Sequence, residues 1–290
     1  MFRCFIPIFT RNNYIFVKLN IERSKIVKLF KDMGQAETTD IKSIQTVRME
    51  VSEMATVMSY SKYSTSYNEQ NRTSNNFKLF INRNVSLDAP SSVISENDYK
   101  SSYVIIPKSV KDAHYISLFL NSTVGKSILS STKDGQIIKG TTNISILKSF
   151  PIFYAEEFLT ECSVLENMLN SLYVGPVPVV KDPVSKKYVD AIHSFLKQVR
   201  DAIVLELIIP SLFRDYNVSV LIPWKEEVEK MSPNGSASED ALLDFFDSII
   251  NQDNKLVESM NKMRILTKNF IDFLNENPNY ANTEVENHKD

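Results

Sequence analysis

A chain of 290 residues with 43% hydrophobic and 23% charged residues has the ordinary composition of a globular protein, with room for one large or two small cores. The formal net charge of -2 argues against a generally cationic nucleic-acid binder, and two isolated cysteines, Cys4 and Cys162, with three histidines argue against a structural zinc site. That average hides a split: residues 1–150 carry 20 Lys and Arg against 12 Asp and Glu, a net of +8, whereas residues 151–290 carry 13 against 23, a net of -10. The asymmetry suits a basic half meeting a polyanion and an acidic half meeting protein or solvent; the alternative is uneven surface charge with no partner.

In chain order, the N-terminal MFRCFIPIF is too short for a signal peptide or membrane span, and a cytoplasmic location is expected by default. YIFVKL at 14–19 is β-branched and aromatic and reads as a strand. A methionine so close to that strand suits a truncated or split gene product. Residues 24–33 form a helix pattern stopped by Gly34, and 47–58 alternates loosely as a further strand. Residues 59–76, SYSKYSTSYNEQNRTSNN, break every period. They read either as a solvated loop or as a recognition loop, in which Tyr63 and Tyr67 stack on bases while Lys62 and Arg72 meet phosphates or base edges. Residues 77–81 and 103–106 are expected strands; Pro107 ends the second, and Ser109 can cap a helix starting near Lys111.

The stretch 111–154 joins this mixed half to a helical one. It reads as two short helices separated at Ser122 and Gly125, a polar loop holding Gly135 and Gly140, and the apolar ISILKSFPIFY leading into a long helix. Beyond Pro151, apolar residues recur at spacings of three and four along three successive segments. These are Phe158, Cys162, Leu165, Leu169 and Leu172; then Val189, Ile192, Leu196, Val199 and Ile203; then Leu242 through Phe270, interrupted by Asp253 and Thr267. Such stripes serve an intramolecular helical core or an intermolecular coiled-coil seam, the last as one helix of about 35 residues.

The six glycines never approach GxG or P-loop spacing, so the chain has no backbone cradle for a nucleotide and no cofactor is expected. Asp88 with Asp98 and Lys100 loosely fits the acidic pair and lysine of Mg²⁺-dependent nucleases, and permissive patterns of this kind arise by chance. Asn277-Pro278-Asn279-Tyr280 is only superficially like the base-holding motif of adenine-N6 methyltransferases, lacking its second proline.

The positions Tyr115, Leu120-Asn121-Ser122, Gly125, the loop from Gly135 to Gly140, and Leu147 through Pro151 together resemble the target recognition domain of type I restriction–modification specificity subunits. The same module is fused to adenine-N6 methyltransferases in single-chain restriction enzymes. The helix with Asp201, Val204, Glu206 and Leu207 is similar to one that follows recognition domains in those fused enzymes. The chain departs from the family after Pro151, where IFYAEEF replaces Leu-Pro and Glu-Gln, and it has no catalytic methyltransferase region.

The resemblance implies an α+β architecture: a small mixed α/β DNA-recognition globule over 1–154, followed by a long-helix bundle or coiled-coil region over 155–290 that spaces it or docks partners. It implies a non-catalytic module reading double-stranded DNA, partnered by an adenine-N6 methyltransferase and an endonuclease, with helix-mediated self-association open. Lys126, Lys133, Lys139 and Lys148 could neutralise phosphates, and Gln136, Thr141, Thr142 and Asn143 could read base edges or else make turns and caps. The rival readings are a helical protein–protein interaction subunit without DNA binding and the Mg²⁺ nuclease.

Overall fold

The computed structural model describes residues 2–9, 14–21, 44–66, 77–83, 90–95, 101–130, 142–174, 183–215, 217–231, 239–250 and 254–276. Among them the fold is mixed α and β. Strands β1 (Phe2–Phe9) and β2 (Tyr14–Ile21) form an antiparallel pair, from Phe2 opposite Ile21 to Phe9 opposite Tyr14. Strand β3 (Val47–Glu50) is followed directly by a helical turn, α1 (Val51–Met54), then by β4 (Ala55–Ser59) and helix α2 (Tyr60–Ser66). Strands β5 (Lys78–Ile81), β6 (Ser92–Ser95) and β7 (Tyr103–Pro107) join β4 in an antiparallel sheet of order β4-β7-β5-β6. Two helices follow, α3 (Val110–Asn121) and α4 (Thr123–Ser130). Helix α5 (Ile144–Lys148) then leads to β8 (Pro151–Tyr154), which pairs with β3.

The 47–58 segment, expected as one strand, is therefore two strands of different sheets. The α1 turn between them buries Val51 and Met54, and the Val51 N–H donates to the carbonyl of Phe150 at 3.1 Å. Pro151 opens a strand, and the long helix expected beyond it starts at Leu159. A proline is tolerated as the first residue of a strand, where a missing N–H costs least.

Helix α3 is the centre of the core. Ser109 caps it, accepting from the Asp112 N–H at 3.1 Å, and Ala113 through Asn121 are all buried. Helix α6 (Leu159–Val174), entered through a 3-10 turn at Glu156–Phe158, lies against α3 with Phe158, Cys162, Leu165 and Leu169 buried. Helix α7 (Pro183–Ile208) adds Ile192, Leu196, Val199 and Ile203 to the same core. A short α8 (Pro210–Asp215) and α9 (Leu221–Met231) follow. Trp224 of α9 is fully buried, its indole N–H donating to the Glu161 carbonyl at 2.9 Å.

The last stripe is divided between α10 (Glu239–Ile250) and α11 (Lys255–Glu276), so the 35-residue helix is replaced by two. Asn254 starts the second, its Oδ1 accepting from the Leu256 N–H at 2.7 Å and its amide donating to Ser248 Oγ at 2.8 Å. A side-chain oxygen that satisfies first-turn N–H groups sets a new helix start. The described stripe residues of all these segments, including Ile249, Leu256, Met260 and Met263, join one apolar cluster with Leu79, Ile105 and Leu118. That cluster crosses residue 154 without interruption. No described helix is long and apolar enough to cross a membrane.

The described residues that carry the resemblance make structural contacts. Tyr115 Oη donates to the Phe153 carbonyl at 2.8 Å and accepts from the Ala155 N–H at 3.0 Å, tying α3 to the end of β8. Burial holds its pKa well above the ordinary tyrosine value. Ser122 Oγ accepts from the Gly125 N–H at 2.9 Å while donating to the Phe119 carbonyl at 2.7 Å. A Cβ on Gly125 would stand 1.9 Å from that carbonyl oxygen, so only glycine fits where α4 turns off the end of α3. Leu147 and Phe150 are buried.

Helix α7 carries two buried carboxylates that cap other helices. Asp201 accepts from the Thr123 N–H at 2.7 Å and from the Thr123 hydroxyl, at the start of α4. Glu206 accepts from Ser219 Oγ at 2.6 Å and from the N–H groups of Val220 at 2.8 Å and Leu221 at 3.0 Å, at the start of α9. A carboxylate at a helix N-terminus meets both orphan donors and the positive end of the dipole.

Candidate nucleic-acid interface

One row crosses the four-stranded sheet near its end: Ser59 of β4 opposite Tyr103 of β7, Tyr103 opposite Ile81 of β5, and Ile81 opposite Ser92 of β6. Because β4 and β5 are parallel to each other and antiparallel to β7, the C-terminal ends of β4 and β5 meet the N-terminal ends of β6 and β7 here. Ser102 knots this end together. Its N–H donates to the Ile81 carbonyl at 3.0 Å, its carbonyl accepts from the Tyr60 N–H at 3.0 Å, and its Oγ accepts from the Arg83 N–H at 3.2 Å.

Thr142 attaches to the same end. Its N–H donates to the Arg83 carbonyl at 2.8 Å, and its carbonyl accepts from Tyr103 Oη at 3.4 Å. Asn143 follows as the N-cap of α5, its Oδ1 accepting from the Ile146 N–H at 2.9 Å. Two exposed cations, Lys62 of α2 and Arg83 after β5, thus stand on segments pinned to one sheet end, together with the exposed Asn143. Arg83 was not among the sequence candidates. Its only signal is a lone cation in the Asn-Arg-Asn run after an apolar strand.

The other candidates divide. Tyr63 is 4% exposed, its ring packed with Phe80 and Val104 and lying 5.3 Å from the Lys78 ammonium, so it offers no free face for a base. The region expected to be all loop begins as helix α2 because Tyr63 belongs to that cluster. Thr142 is 1% exposed, and its Oγ1 has no hydrogen-bond partner among the described residues. Lys148 is exposed but lies at the far end of α5, near Phe150, whose carbonyl accepts from the Val51 N–H at the start of α1. Tyr67, Arg72, Lys133, Gln136, Lys139 and Thr141 lie outside the described residues, as do Asp88, Asp98, Lys100 and the run 277–280.

Lys126 is 5% exposed and lines a small open cleft that also takes in Pro90 and Ser92 at the start of β6. The cleft runs along the outer edge of β6 and is lined also by Glu166, Asn170, His193, Lys197 and Arg200. Glu166 Oε1 accepts from Ser117 Oγ at 2.7 Å and from the Asn121 amide at 2.7 Å, and the Arg200 guanidinium stands 3.6 Å from its Oε2. Burial, with Lys197 and Arg200 nearby, pushes the His193 pKa down to about 4. Among the described residues no three His, Cys, Asp or Glu side chains converge in a way that could hold a metal ion.

No family model, curated protein or solved structure matches this chain.

Proposed function

We propose that the chain is the sequence-recognition module of a restriction–modification system, without catalytic activity of its own, directing an adenine-N6 methyltransferase and an endonuclease to double-stranded DNA in the cytoplasm. The observation that carries this reading is the gathering of segments at one sheet end. The Ser102 knot ties Lys62 and Arg83 to the start of the α5 segment, so that exposed cations stand beside polar side chains. Cations fix a protein on phosphates while neighbouring polar groups address base edges. The +8 balance of residues 1–150 and the resemblance at Tyr115, Asn121, Ser122 and Gly125 support the same reading. In it, residues 1–154 recognise DNA, and the helices after 155, as a long-helix bundle or coiled coil, space the module and dock partners or a second copy.

The test is selection of bound sequences from a random duplex pool, with and without a methyltransferase partner, alongside gel shifts over a range of salt. An enriched sequence and salt-sensitive binding are expected. Absence of both would leave a helical interaction subunit as the better account.

A further inference from the structure

We propose that the chain pairs with a second copy of itself through the outer edge of β3, Arg48 of each copy standing opposite Glu50 of the other. Among the described residues β3 pairs with β8 alone, in a two-stranded sheet. The two edges of that sheet differ. Tyr115 Oη meets the outer edge of β8, donating to the Phe153 carbonyl at 2.8 Å and accepting from the Ala155 N–H at 3.0 Å. Backbone groups of successive residues in an antiparallel strand point alternately to its two sides. With Phe153 turned outward, Ile152 and Tyr154 face β3 and meet their register partners Met49 and Val47. The Val51 N–H, donating to the Phe150 carbonyl, continues the same alternation. Arg48 and Glu50 are therefore left with their backbone groups directed away from β8.

Such an edge templates a further strand unless something blunts it. Its sequence, Val-Arg-Met-Glu, complements itself in one antiparallel register. A two-fold axis beside Met49 sets Arg48 against Glu50 of the second copy, and Glu50 against that copy's Arg48. Each of these pairs exchanges backbone hydrogen bonds and brings opposite charges together on one face. The neighbouring registers oppose Arg48 to Arg48 or Glu50 to Glu50, and repulsion of like charges disfavours both. Arg48 is exposed, and among the described residues neither it nor Glu50 makes an ion pair. Val47, 63% exposed, comes to lie diagonal to the half-buried Met49 of the second copy, which covers apolar surface. The joined sheet ends on both sides at a β8 edge met by Tyr115, so the two-fold pairing closes at a dimer. It needs no nucleic acid.

The test is sedimentation velocity of the full chain from about 1 to 300 µM, the range in which a small interface associates. A concentration-dependent shift from monomer to dimer is expected, with hydrogen-exchange protection of the Arg48 and Glu50 amides rising in step. Glu50→Arg and Arg48→Glu each place like charges opposite one another and should weaken the dimer about tenfold or more. Mixed in equal amounts, the two variants should form a heterodimer, because the acidic edge of Arg48→Glu then faces the basic edge of Glu50→Arg. The double variant, in which the two charges are exchanged, should pair with itself again.

A chain that stays monomeric up to about 300 µM overturns the proposal. A dimer of unchanged affinity in both charge reversals also overturns it and assigns association to another face. So does a mixture of the two reversals that fails to associate while circular dichroism shows both to be folded. Arg48→Glu, at an exposed position, scores the repulsion even where Glu50→Arg, half-buried beside the α1 turn, does not accumulate.

Discussion

Asn121 of α3 and Asn170 of α6 grip alternate residues of the same strand edge. Asn121 Oδ1 accepts from the Ser92 N–H at 2.9 Å and its amide donates to the Ser92 carbonyl at 3.0 Å; Asn170 does the same to Ile94, at 3.3 Å and 3.2 Å. β6 is the outermost strand of its sheet, with β5 on its other side. Two amide side chains on two helices thus stand where a further strand would pair, and they close an edge that would otherwise template association. Asn121→Ala, which also strips a hydrogen bond from buried Glu166, should lower stability by about 2–4 kcal/mol in urea denaturation. The half-buried Asn170→Ala should cost about 1 kcal/mol. The double variant should associate in a concentration-dependent way visible by light scattering.

Gly125→Ala should be among the most damaging single changes available. The added methyl meets a backbone carbonyl, which cannot swing aside as a flexible side chain could. A loss of about 3 kcal/mol or more is expected in chemical denaturation, or failure to accumulate as folded protein. Ser122→Ala removes the acceptor of the Gly125 N–H and the donor to the Phe119 carbonyl without adding a clash, and should cost about 1–2 kcal/mol.

A buried carboxyl and a half-buried imidazole give opposite pH slopes. Burial raises the Glu206 pKa in spite of its hydrogen bonds to Ser219, Leu221 and Val220. Above its ordinary 4.5 the folded state therefore holds this proton longer than the unfolded chain, and stability falls as pH rises from there through the raised value. His193, lowered to about 4, behaves in the reverse sense: between 6.5 and 4 the unfolded chain binds the extra proton, so stability falls as pH falls. Thermal melts between pH 4 and 8 should show the first slope flattened in Glu206→Gln and the second flattened in His193→Gln, each relative to the wild-type chain.

If the sheet end meets DNA, Lys62→Ala with Arg83→Ala should weaken duplex binding by about tenfold or more and reduce the slope of log affinity against log salt by about 2. The thermal midpoint should barely move, since both side chains are exposed. Tyr63→Ala should do the opposite, costing about 3 kcal/mol of stability through an emptied ring site with duplex affinity retained by the folded fraction.

Periodicity located the helices well because each buries one stripe. Phe158, Cys162, Leu165 and Leu169, and again Ile192, Leu196, Val199 and Ile203, lie in the core at the spacings the sequence displays. It misjudged the last segment because Ile249 and Leu256 stay in phase across a break that only the Asn254 cap reveals. The turn at Val51–Met54 depends on the Phe150 carbonyl, almost a hundred residues away, and no local pattern announces such a partner. Strand β6, four residues of SVIS, has little pattern to read, and its outer edge is met by amides from two distant helices.

At the candidate interface, cations were visible as residue types, but exposure was not. Lys126 looks like Lys148 in sequence and is buried where Lys148 is exposed. Arg83 gains its place from the Ser102 knot, which is a matter of register.

The capping of α4 by Asp201 has a practical consequence for anyone seeking a smaller unit. The helix that holds Gly125 in its first turn begins on a carboxylate lent by a residue 78 positions after Thr123, and the apolar cluster fills from both sides of residue 154. A fragment ending near 154 would surrender that anchor and uncover the faces of α3 that Cys162, Leu165 and Leu169 now shield. The mixed half should therefore fail as a stand-alone polypeptide and recover its shape only when the later helices are supplied, whether on the same chain or as a complementing piece.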